Sequence, residues 1–447
     1  MIAAVLRLTC ACLLISTAAA AATLSVGPGQ PYTTIAAASA AAHDGDTIEI
    51  AAGTYHEAVS FAANQLTVRG VGGRPVVDMT GMAIGNGKAI FVTDGADITI
   101  DNIELVGASV TDQNGAGIRW EGPGSLTVRN CVFRSNENGI LGGGAGHPEN
   151  TAVIEHNEFV DNGRGNVGFT HSVYFGEADT ITFRGNWSHA LWPGGADIGH
   201  LFKCRAHHTN VLYNRLTAEE SHSSYEINIP EGGEAYVIGN LIQQKVGGQN
   251  IMISFGDGDG TQYAGSKLFV IANTFVSEAT GNATFIRTTQ ADAQVTVIDN
   301  LLVGAGTLTS GGVVTMMGNL ATTAPGFVDP ASYDYHLAAG SPAIDTGVDP
   351  GAAMLAPVLD YVHPAGTETR TTVGAAIDVG AYEFGNVPMA GDDNTPPGDD
   401  LPPATSSPTG CGCRTHDAPG VLLAGIVVAV GLGRRRRFSR QIGRDVV

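Results

Sequence analysis

One pattern recurs along most of the chain: a short run of alternating β-branched residues that ends in asparagine. Most of these units follow one another at intervals of 26 to 29 residues. A near-constant period in this range marks a solenoid. The units end at Asn102, Asn130, Asn157, Asn186, Asn214, Asn240, Asn273, Asn300 and Asn319. The sequence therefore predicts that each unit is one coil, whose strands pair in parallel with the coils before and after it.

The repeat also predicts where its side chains point. Valine and isoleucine at alternate positions stack into the core, because successive side chains of a strand lie on opposite faces. Asparagine at the same corner of every coil can stack as an amide ladder, and it tolerates the left-handed backbone conformation of a turn. We therefore assign these asparagines to the structure and not to a binding site.

The N-terminal region predicts export and a capped solenoid. Residues 1–22 have the features of a secretory signal peptide, with Arg7 before a short apolar run and small residues at the end. Residues 31–55 predict a short helix, a turn and a first strand. This arrangement resembles the N-terminal cap of secreted, pectate-lyase-like right-handed parallel β-helices. The resemblance implies an all-β fold, a right-handed parallel β-helix over residues 23–386 with an N-terminal capping helix.

Composition limits the possible partners. The net charge of −20 argues against nucleic acid, which proteins bind mainly by neutralising phosphates. Local basic clusters can still bind an acidic glycan against the global sign. Only Cys131 and Cys204 lie in the body of the chain, so no disulfide framework follows. We expect a monomer.

The C-terminal region divides into three parts. Residues 334–337, 341–345 and 377–384 resemble the closing segment of bacterial surface β-helix proteins, and we expect them to end the solenoid. Residues 387–410 are rich in Pro, Asp, Ser and Thr and predict a disordered linker. Residues 411–447 combine a cysteine motif, a short apolar helix and four arginines, and they resemble the surface-sorting tail of myxobacterial proteins. The resemblance implies display at the cell surface, with membrane contact only through this tail; an ordinary C-terminal membrane anchor is the alternative.

Four consecutive coils carry strand sequences that are unusual for this chain, at residues 170–175, 200–205, 224–229 and 251–255. If Phe202 and Cys204 point inward, then Lys203 and Arg205 point outward. The same reasoning turns Tyr174 outward. Applied to the next coil, it turns Glu226 and Asn228 outward as well. The sequence therefore predicts one outward patch on consecutive coils.

Such a patch has the groups that β-elimination of a uronic-acid polymer requires. Arg205 suits the substrate carboxylate because its fork is bidentate. Lys203 can act as the base, with Tyr174, His200 and His171 as alternative proton donors or acceptors.

Oxygen and aromatic groups complete the predicted site. Glu226 and Asn228 can bind the substrate or hold Ca²⁺, which takes oxygen ligands. Trp192 can form a sugar-stacking platform. The turn at residues 257–260 is interpreted as an acidic turn.

Residues 203–240 resemble the alginate lyase and chondroitinase B family of β-helix polysaccharide lyases. In that family a lysine strand precedes the asparagine of one coil, and an arginine follows on the next. Lys203 matches the lysine, whereas the next coil has no arginine at residues 225–228, so Arg205 takes that role. The resemblance implies a lyase on an acidic glycan.

Three alternatives stay open. The charged residues can be an ion-pair ladder that fixes strand register. The protein can be a non-catalytic surface protein that binds glycan or mediates adhesion. It can also be a glycoside hydrolase, which needs two acids across a groove: Glu226 together with Glu231 or Asp197.

Overall fold

Three long parallel β-sheets wind around a common core. They are seen in a computed structural model, which describes residues 20–386 apart from 144–145, 166–169, 192–198, 220, 259, 280 and 282. The predicted linker, the C-terminal tail and nearly all of the predicted signal peptide lie outside the described residues. Each coil contributes one strand to each sheet in turn.

The strands are numbered in chain order. Sheet 1 contains β1 (Thr23–Val26), β2 (Thr47–Ala51), β5 (Thr67–Val71), β8 (Ile98–Asp101), β11 (Ser125–Arg129), β14 (Thr151–Glu155), β17 (Thr180–Arg184), β20 (His208–Leu212), β23 (Glu234–Ile238), β26 (Lys267–Ile271), β29 (Gln294–Ile298) and β32 (Val313–Met317). Sheet 2 contains β4 (Val59–Phe61), β7 (Ala89–Thr93), β10 (Ala116–Trp120), β13 (Asn138–Gly142), β16 (Val173–Phe175), β19 (Phe202–Cys204), β22 (Ile227–Ile229), β25 (Ile251–Phe255), β28 (Ala283–Thr288) and β31 (Gly306–Ser310). Sheet 3 contains β3 (Thr54–Tyr55), β6 (Val76–Asp78), β9 (Glu104–Val106), β12 (Val132–Arg134), β15 (Glu158–Val160), β18 (Trp187–His189), β21 (Arg215–Thr217), β24 (Leu241–Gln244), β27 (Thr274–Ser277), β30 (Leu301–Val303) and β33 (Leu320–Thr322).

Alternation builds the core, as the sequence predicts. In β17, Ile181 and Phe183 point inward and are fully buried, while their threonine neighbours are partly exposed. Aromatic rings stack between coils: the rings of Phe133 and Phe159 are nearly parallel, with centroids 4.7 Å apart. Burying each such side chain contributes about 1.5–3 kcal/mol. The predicted right-handed parallel β-helix is confirmed.

The N-terminal end is capped by helix α1 (Ile35–Ala41). The Thr34 hydroxyl accepts a hydrogen bond from the backbone N–H of Ala37, which satisfies one open donor of the first turn. Ile35 and Ala38 are buried against the first coil. The predicted capping helix is therefore confirmed.

An asparagine ladder runs along the corner between sheets 1 and 3. In one step, Oδ1 of Asn214 accepts hydrogen bonds from the backbone N–H and from Nδ2 of Asn186, at 2.9 and 3.1 Å. Nδ2 of Asn186 also donates to the carbonyl of Ile154. Every step satisfies buried polar groups in this way. The ladder comprises Asn157, Asn186, Asn214, Asn240, Asn273, Asn300 and Asn319.

The prediction that every coil-ending asparagine joins the ladder is wrong for two of them. Asn102 and Asn130 have left-handed backbones, each with φ of 56°. The ladder position is the next residue, and the backbone N–H of Cys131 donates to Oδ1 of Asn157. From Asn157 onward the left-handed position belongs to the preceding residue, such as His156. The asparagines of the sequence repeat therefore occupy two different corner positions: the left-handed residue in the early coils and the ladder residue in the later ones.

The segment after the last coil folds back along the side of the solenoid. It contains two antiparallel hairpins, β34 (Phe327–Asp329) with β35 (Asp334–Leu337) and β36 (Leu359–Val362) with β37 (Gly366–Thr369). Two short 3-10 helices, Pro330–Ser332 and Ala353–Leu355, complete it.

Contacts with distant coils trace the path of this segment. The backbone N–H of Val358 donates to the Tyr213 hydroxyl, and Thr367 lies 3.3 Å from His156 Nε2. The last coil is left largely exposed by the described residues, at Met316 for example. The prediction that this segment is the C-terminal end of the solenoid is therefore wrong, because the parallel coils stop at β33 and the segment packs along their side.

A buried ion cluster holds this segment together. The guanidinium of Arg370 lies 3.2 Å from Glu383 and 3.6 Å from Asp360, and it donates to two backbone carbonyls. All three charged side chains are almost completely inaccessible to solvent. Burial raises the pKa of Asp360 to about 6, although Arg370 opposes that shift. These contacts give the segment a fixed structure of its own.

Within the part of the chain that the structure describes, no helix has both the length and the apolar character needed to cross a membrane.

Candidate functional site on sheet 2

The outward side chains of five consecutive strands of sheet 2, from β16 to β28, form one polar row, because these strands pair in register. Tyr174 of β16 pairs with Lys203 of β19, which pairs with Asn228 of β22. The row continues to Ser254 of β25 and Arg287 of β28. At about 4.8 Å per strand, the five residues span roughly 19 Å along the axis. The predicted outward orientation of Tyr174 and Lys203 is confirmed.

Both predicted cations contact Tyr174. The Lys203 Nζ atom lies 4.9 Å from the centroid of the Tyr174 ring, a cation–π distance. Arg205, just after β19, donates from Nε to the Tyr174 hydroxyl at 3.0 Å, and its Nη1 pairs with the carboxylate of Glu231. Burial opposes the charge of Arg205, but Tyr174 and Glu231 outweigh it and raise its pKa. The structure thus joins Tyr174, Lys203 and Arg205 in one cluster, with Glu231 behind it.

A column of stacked rings lies beside this cluster. The rings of His171 and His200 are parallel at 4.8 Å, and His200 stacks on Tyr225 at 5.0 Å. The Nδ1 atom of His171 accepts from the His200 backbone N–H, and that of His200 accepts from the Tyr225 backbone N–H. Burial, reinforced by nearby positive groups, holds the pKa of both histidines well below the usual value.

Both histidine rings are therefore neutral at pH 7 and carry their proton on Nε2. Their Nδ1 lone pairs are used within the fold. Each of these two neutral rings retains only an Nε2–H donor. Neither histidine therefore offers a basic nitrogen to a substrate.

The prediction that Glu226 faces outward is wrong. Its side chain is fully buried at the corner between sheets 3 and 2, where Ser223 Oγ and Gln244 Nε2 hydrogen-bond to the carboxyl group. Strand β22 begins only at Ile227, so the alternation does not extend back to residue 226. Burial raises the pKa of Glu226 to about 8. Glu226 does not reach the outer face, where the predicted substrate-binding or calcium-binding role requires it.

Asn228 does belong to the outward row, but neighbouring side chains cover it. Its Nδ2 donates to Asp257 Oδ1 at 2.9 Å. The other oxygen of Asp257 accepts from Ser254 and from Arg287, at 2.8 and 2.7 Å. Arg287 also donates to the Tyr225 hydroxyl at 2.9 Å. Glu226 and Asn228, the predicted calcium ligands, therefore do not lie together: Glu226 is in the interior, and Asn228 belongs to this outer network.

Arg287 and Asp257 are site residues that the sequence interpretation missed. Arg287 lies three strands beyond Lys203, about 14 Å along the sheet. A signal existed, since Arg287 is the one cation of its strand, β28. However, Phe285 and Ile286 are adjacent and both buried, which breaks the alternation that would have placed Arg287 on a face.

The acid pairs proposed for a glycoside hydrolase are not brought together at the outer face. Glu226 is interior, and the carboxylate of Glu231 is paired with Arg205. Asp197 and the predicted stacking residue Trp192 both lie outside the described residues.

The chain is similar to several solved structures, of which one has a TM-score above 0.5. The chain is similar to the crystal structure of the pectate lyase Pel9A, at 16% identity and a TM-score of 0.53, over 79% of this chain and 91% of that one. An alginate lyase from Paenibacillus matches at 14% identity and a TM-score of 0.44, over 66% of this chain and 99% of the other. A pectin methylesterase from carrot matches at 13% identity and a TM-score of 0.29, over 69% and 85% of the two chains. No protein-family profile and no curated protein sequence matches.

Proposed function

We propose that this is an exported cell-surface protein that cleaves an acidic polysaccharide by β-elimination on the outer face of sheet 2. One observation carries the proposal: Lys203 and Arg205 both contact Tyr174, on a polar row that runs along the axis of the solenoid. A polar row along the axis is suited to binding an extended polymer. The pectate lyase of the same fold is, by its name, a lyase of an acidic polysaccharide.

In this reaction Lys203, in its unprotonated form, removes the proton from the carbon that bears the uronate carboxylate. The electrons left on that carbon form a double bond to the next carbon, and the glycosidic C–O bond breaks. The Tyr174 hydroxyl gives its proton to the leaving oxygen. Arg205 orients that hydroxyl through its Nε hydrogen bond and stabilises the negative charge that develops on the carboxylate.

Export and surface display are proposed from the sequence pattern of residues 1–22 and 411–447. The test is protease treatment of intact cells that produce the full chain. We expect the β-helix to be cleaved from outside, and a variant lacking residues 1–22 to be protected. Protection of the full chain would contradict export.

The test of the reaction is a screen of the purified protein against alginate, pectate and glycosaminoglycans, with and without Ca²⁺, read by the absorbance of unsaturated chain ends. Lys203→Met is expected to abolish turnover. Arg129→Met is the control, because Arg129 is also an outward, partly exposed cation, and it lies on sheet 1, where it pairs with Asp101. Equal activity in both variants would remove Lys203 from the site.

A second function, glycan binding without turnover, is favoured by one specific contact. The Arg205 guanidinium is already paired with Glu231, so an incoming carboxylate has to share it. Saturable binding of an acidic oligosaccharide, with no unsaturated product from any substrate of the screen, would favour this function over the lyase.

A further inference from the structure

A separate cleft lies between sheet 3 and the segment that follows the last coil, residues 327–386, here called the C-terminal segment. Its volume is about 400 Å³, within the range of small-molecule sites. Trp187 of β18 and Arg215 of β21 form part of one wall. Residues 332–336, with His363 and Tyr382, form the opposite wall. The cleft is therefore built from two parts of the chain, on a different sheet from the polar row.

The walls of the cleft are rich in aromatic rings. The edge-to-face contact of Trp187 with His363 has a centroid distance of 4.5 Å. His336 stacks on Tyr382 at 3.8 Å, and more than half of its side chain is exposed. Flat aromatic faces bury apolar surface, while indole, imidazole and phenol edges donate hydrogen bonds. A sugar ring has the matching shape, with apolar C–H faces and a rim of hydroxyl groups.

The ionisable groups of the cleft pair with one another within its own walls. Arg215 Nη2 lies 3.2 Å from Glu219 Oε1. The Nδ1 atom of His336 lies 2.6 Å from Asp334 Oδ1. Hydroxyl groups can hydrogen-bond to such pairs without separating them, whereas an anionic ligand would compete with the carboxylates. The lining therefore favours a neutral ligand.

Packing makes the cleft part of the folded structure. Tyr335 and Tyr382 are buried in a cluster with Leu241, and Trp187 packs against it. A preformed site avoids the entropic cost of ordering its walls when a ligand binds.

We propose that this cleft binds a neutral sugar unit, as a second glycan site independent of the acidic-polysaccharide row. Its failure and the failure of the proposed lyase function are distinguishable, because the two sites prefer ligands of different charge and lie on different sheets.

The experiment is isothermal titration calorimetry of the full chain with three neutral hexasaccharides, cellohexaose, mannohexaose and maltohexaose, and with an acidic mannuronate hexamer. We expect saturable binding of at least one neutral ligand. His336→Ala should weaken it at least tenfold, and Tyr333→Ala should weaken it as well. His43→Ala is the matched control, since His43 is an exposed histidine 3.9 Å from an acid, Asp46, far along the chain.

Thermal unfolding of each variant distinguishes lost binding from lost folding. Trp187→Phe is an additional variant, which removes the indole N–H but keeps an apolar ring. The proposal is overturned if none of the three neutral ligands binds. It is equally overturned if a neutral ligand binds and the His336, Tyr333 and Trp187 variants retain its affinity. Binding of the acidic hexamer that depends on Lys203, together with no binding of any of the three neutral ligands, would place all recognition on sheet 2.

Discussion

The ammonium group of Lys203 lies over the ring of Tyr174, on the neighbouring strand of sheet 2, with Nζ 4.9 Å from the ring centroid. Tyr174 supplies two separate things at this point: a ring face for the cation and a hydroxyl that accepts a hydrogen bond from Arg205. The two contributions can be separated by substitution.

Tyr174→Phe removes the hydroxyl and keeps the ring. We expect turnover of the acidic polysaccharide to fall on the order of 100-fold, the usual contribution of one proton-transfer group. Binding of an acidic oligosaccharide should change little, and Tyr174→Ala should weaken both. Tyr236→Phe, which removes a hydroxyl bonded to Glu234 on sheet 1, is the control and should leave kcat unchanged. Full activity of Tyr174→Phe would show that its hydroxyl takes no part.

Glu226→Gln should stabilise the protein at neutral and alkaline pH. Burial raises the folded-state pKa from 4.5 to about 8, so the folded protein binds one more proton than the unfolded chain between these values. The stability of the wild type therefore decreases across this window as pH rises. Chemical denaturation should give the variant an advantage on the order of 3 kcal/mol at pH 7. An advantage that is the same at pH 4 and pH 8, roughly the two ends of the window, would rule out this origin.

His189→Gln should destabilise the protein, with a pH dependence of the same sign, because the pKa of His189 is also raised in the folded state. Burial alone would lower the pKa of His189, but the hydrogen bond to Glu158 and the carboxylate of Glu219, 3.4 Å from Nδ1, outweigh burial and raise it. Protonated His189 therefore stabilises the fold below about pH 6.5, and this contribution is lost as pH rises through the raised pKa. The difference in unfolding free energy between wild type and variant should be large in mild acid and shrink in alkali. A constant difference would contradict this assignment.

Asn214→Ala interrupts the asparagine ladder. The neighbouring groups at Asn186 and Asn240 lose their partners while they remain buried, at about 1–3 kcal/mol for each unsatisfied group. Asn210→Ala, on the outer face of the same coil, is the control and should change stability by about 0.5 kcal/mol or less. Equal effects of the two substitutions in urea unfolding would assign no special weight to the ladder.

Arg370→Ala should release the C-terminal segment. Removing one member of a buried ion cluster costs about 3–5 kcal/mol, because Glu383 and Asp360 stay buried without their cation. Arg69→Ala, which breaks an exposed pair with Glu49, should cost about 1 kcal/mol or less. Limited proteolysis of residues 345–380 should accelerate only in the Arg370 variant.

The fold could be predicted from the sequence because a solenoid repeats one local rule. The period of the asparagine units and the alternation of β-branched residues are visible without any long-range information, and both recur in the structure. The offset between Asn130 and Asn157 was not visible, since a left-handed corner and a ladder position both favour asparagine. Only the backbone separates these two uses.

The site was predictable only as far as strand alternation reaches. Lys203 and Tyr174 lie inside strands, and their outward orientation followed from the pattern. Glu226 lies one residue before its strand, where a corner turns the side chain inward. The cleft at Trp187 was beyond prediction, because its other wall comes from more than 140 residues later in the chain.

The C-terminal segment changes how the protein can come apart. A bare solenoid can unwind coil by coil from an open end, because each repeat contacts only its neighbours. Here Thr367 contacts His156 in a middle coil, while the backbone N–H of Val348 donates to Asp299 in a late one. Pulling the last coils away therefore also loads the contacts near the middle of the molecule. The middle and late coils should resist mechanical extension together.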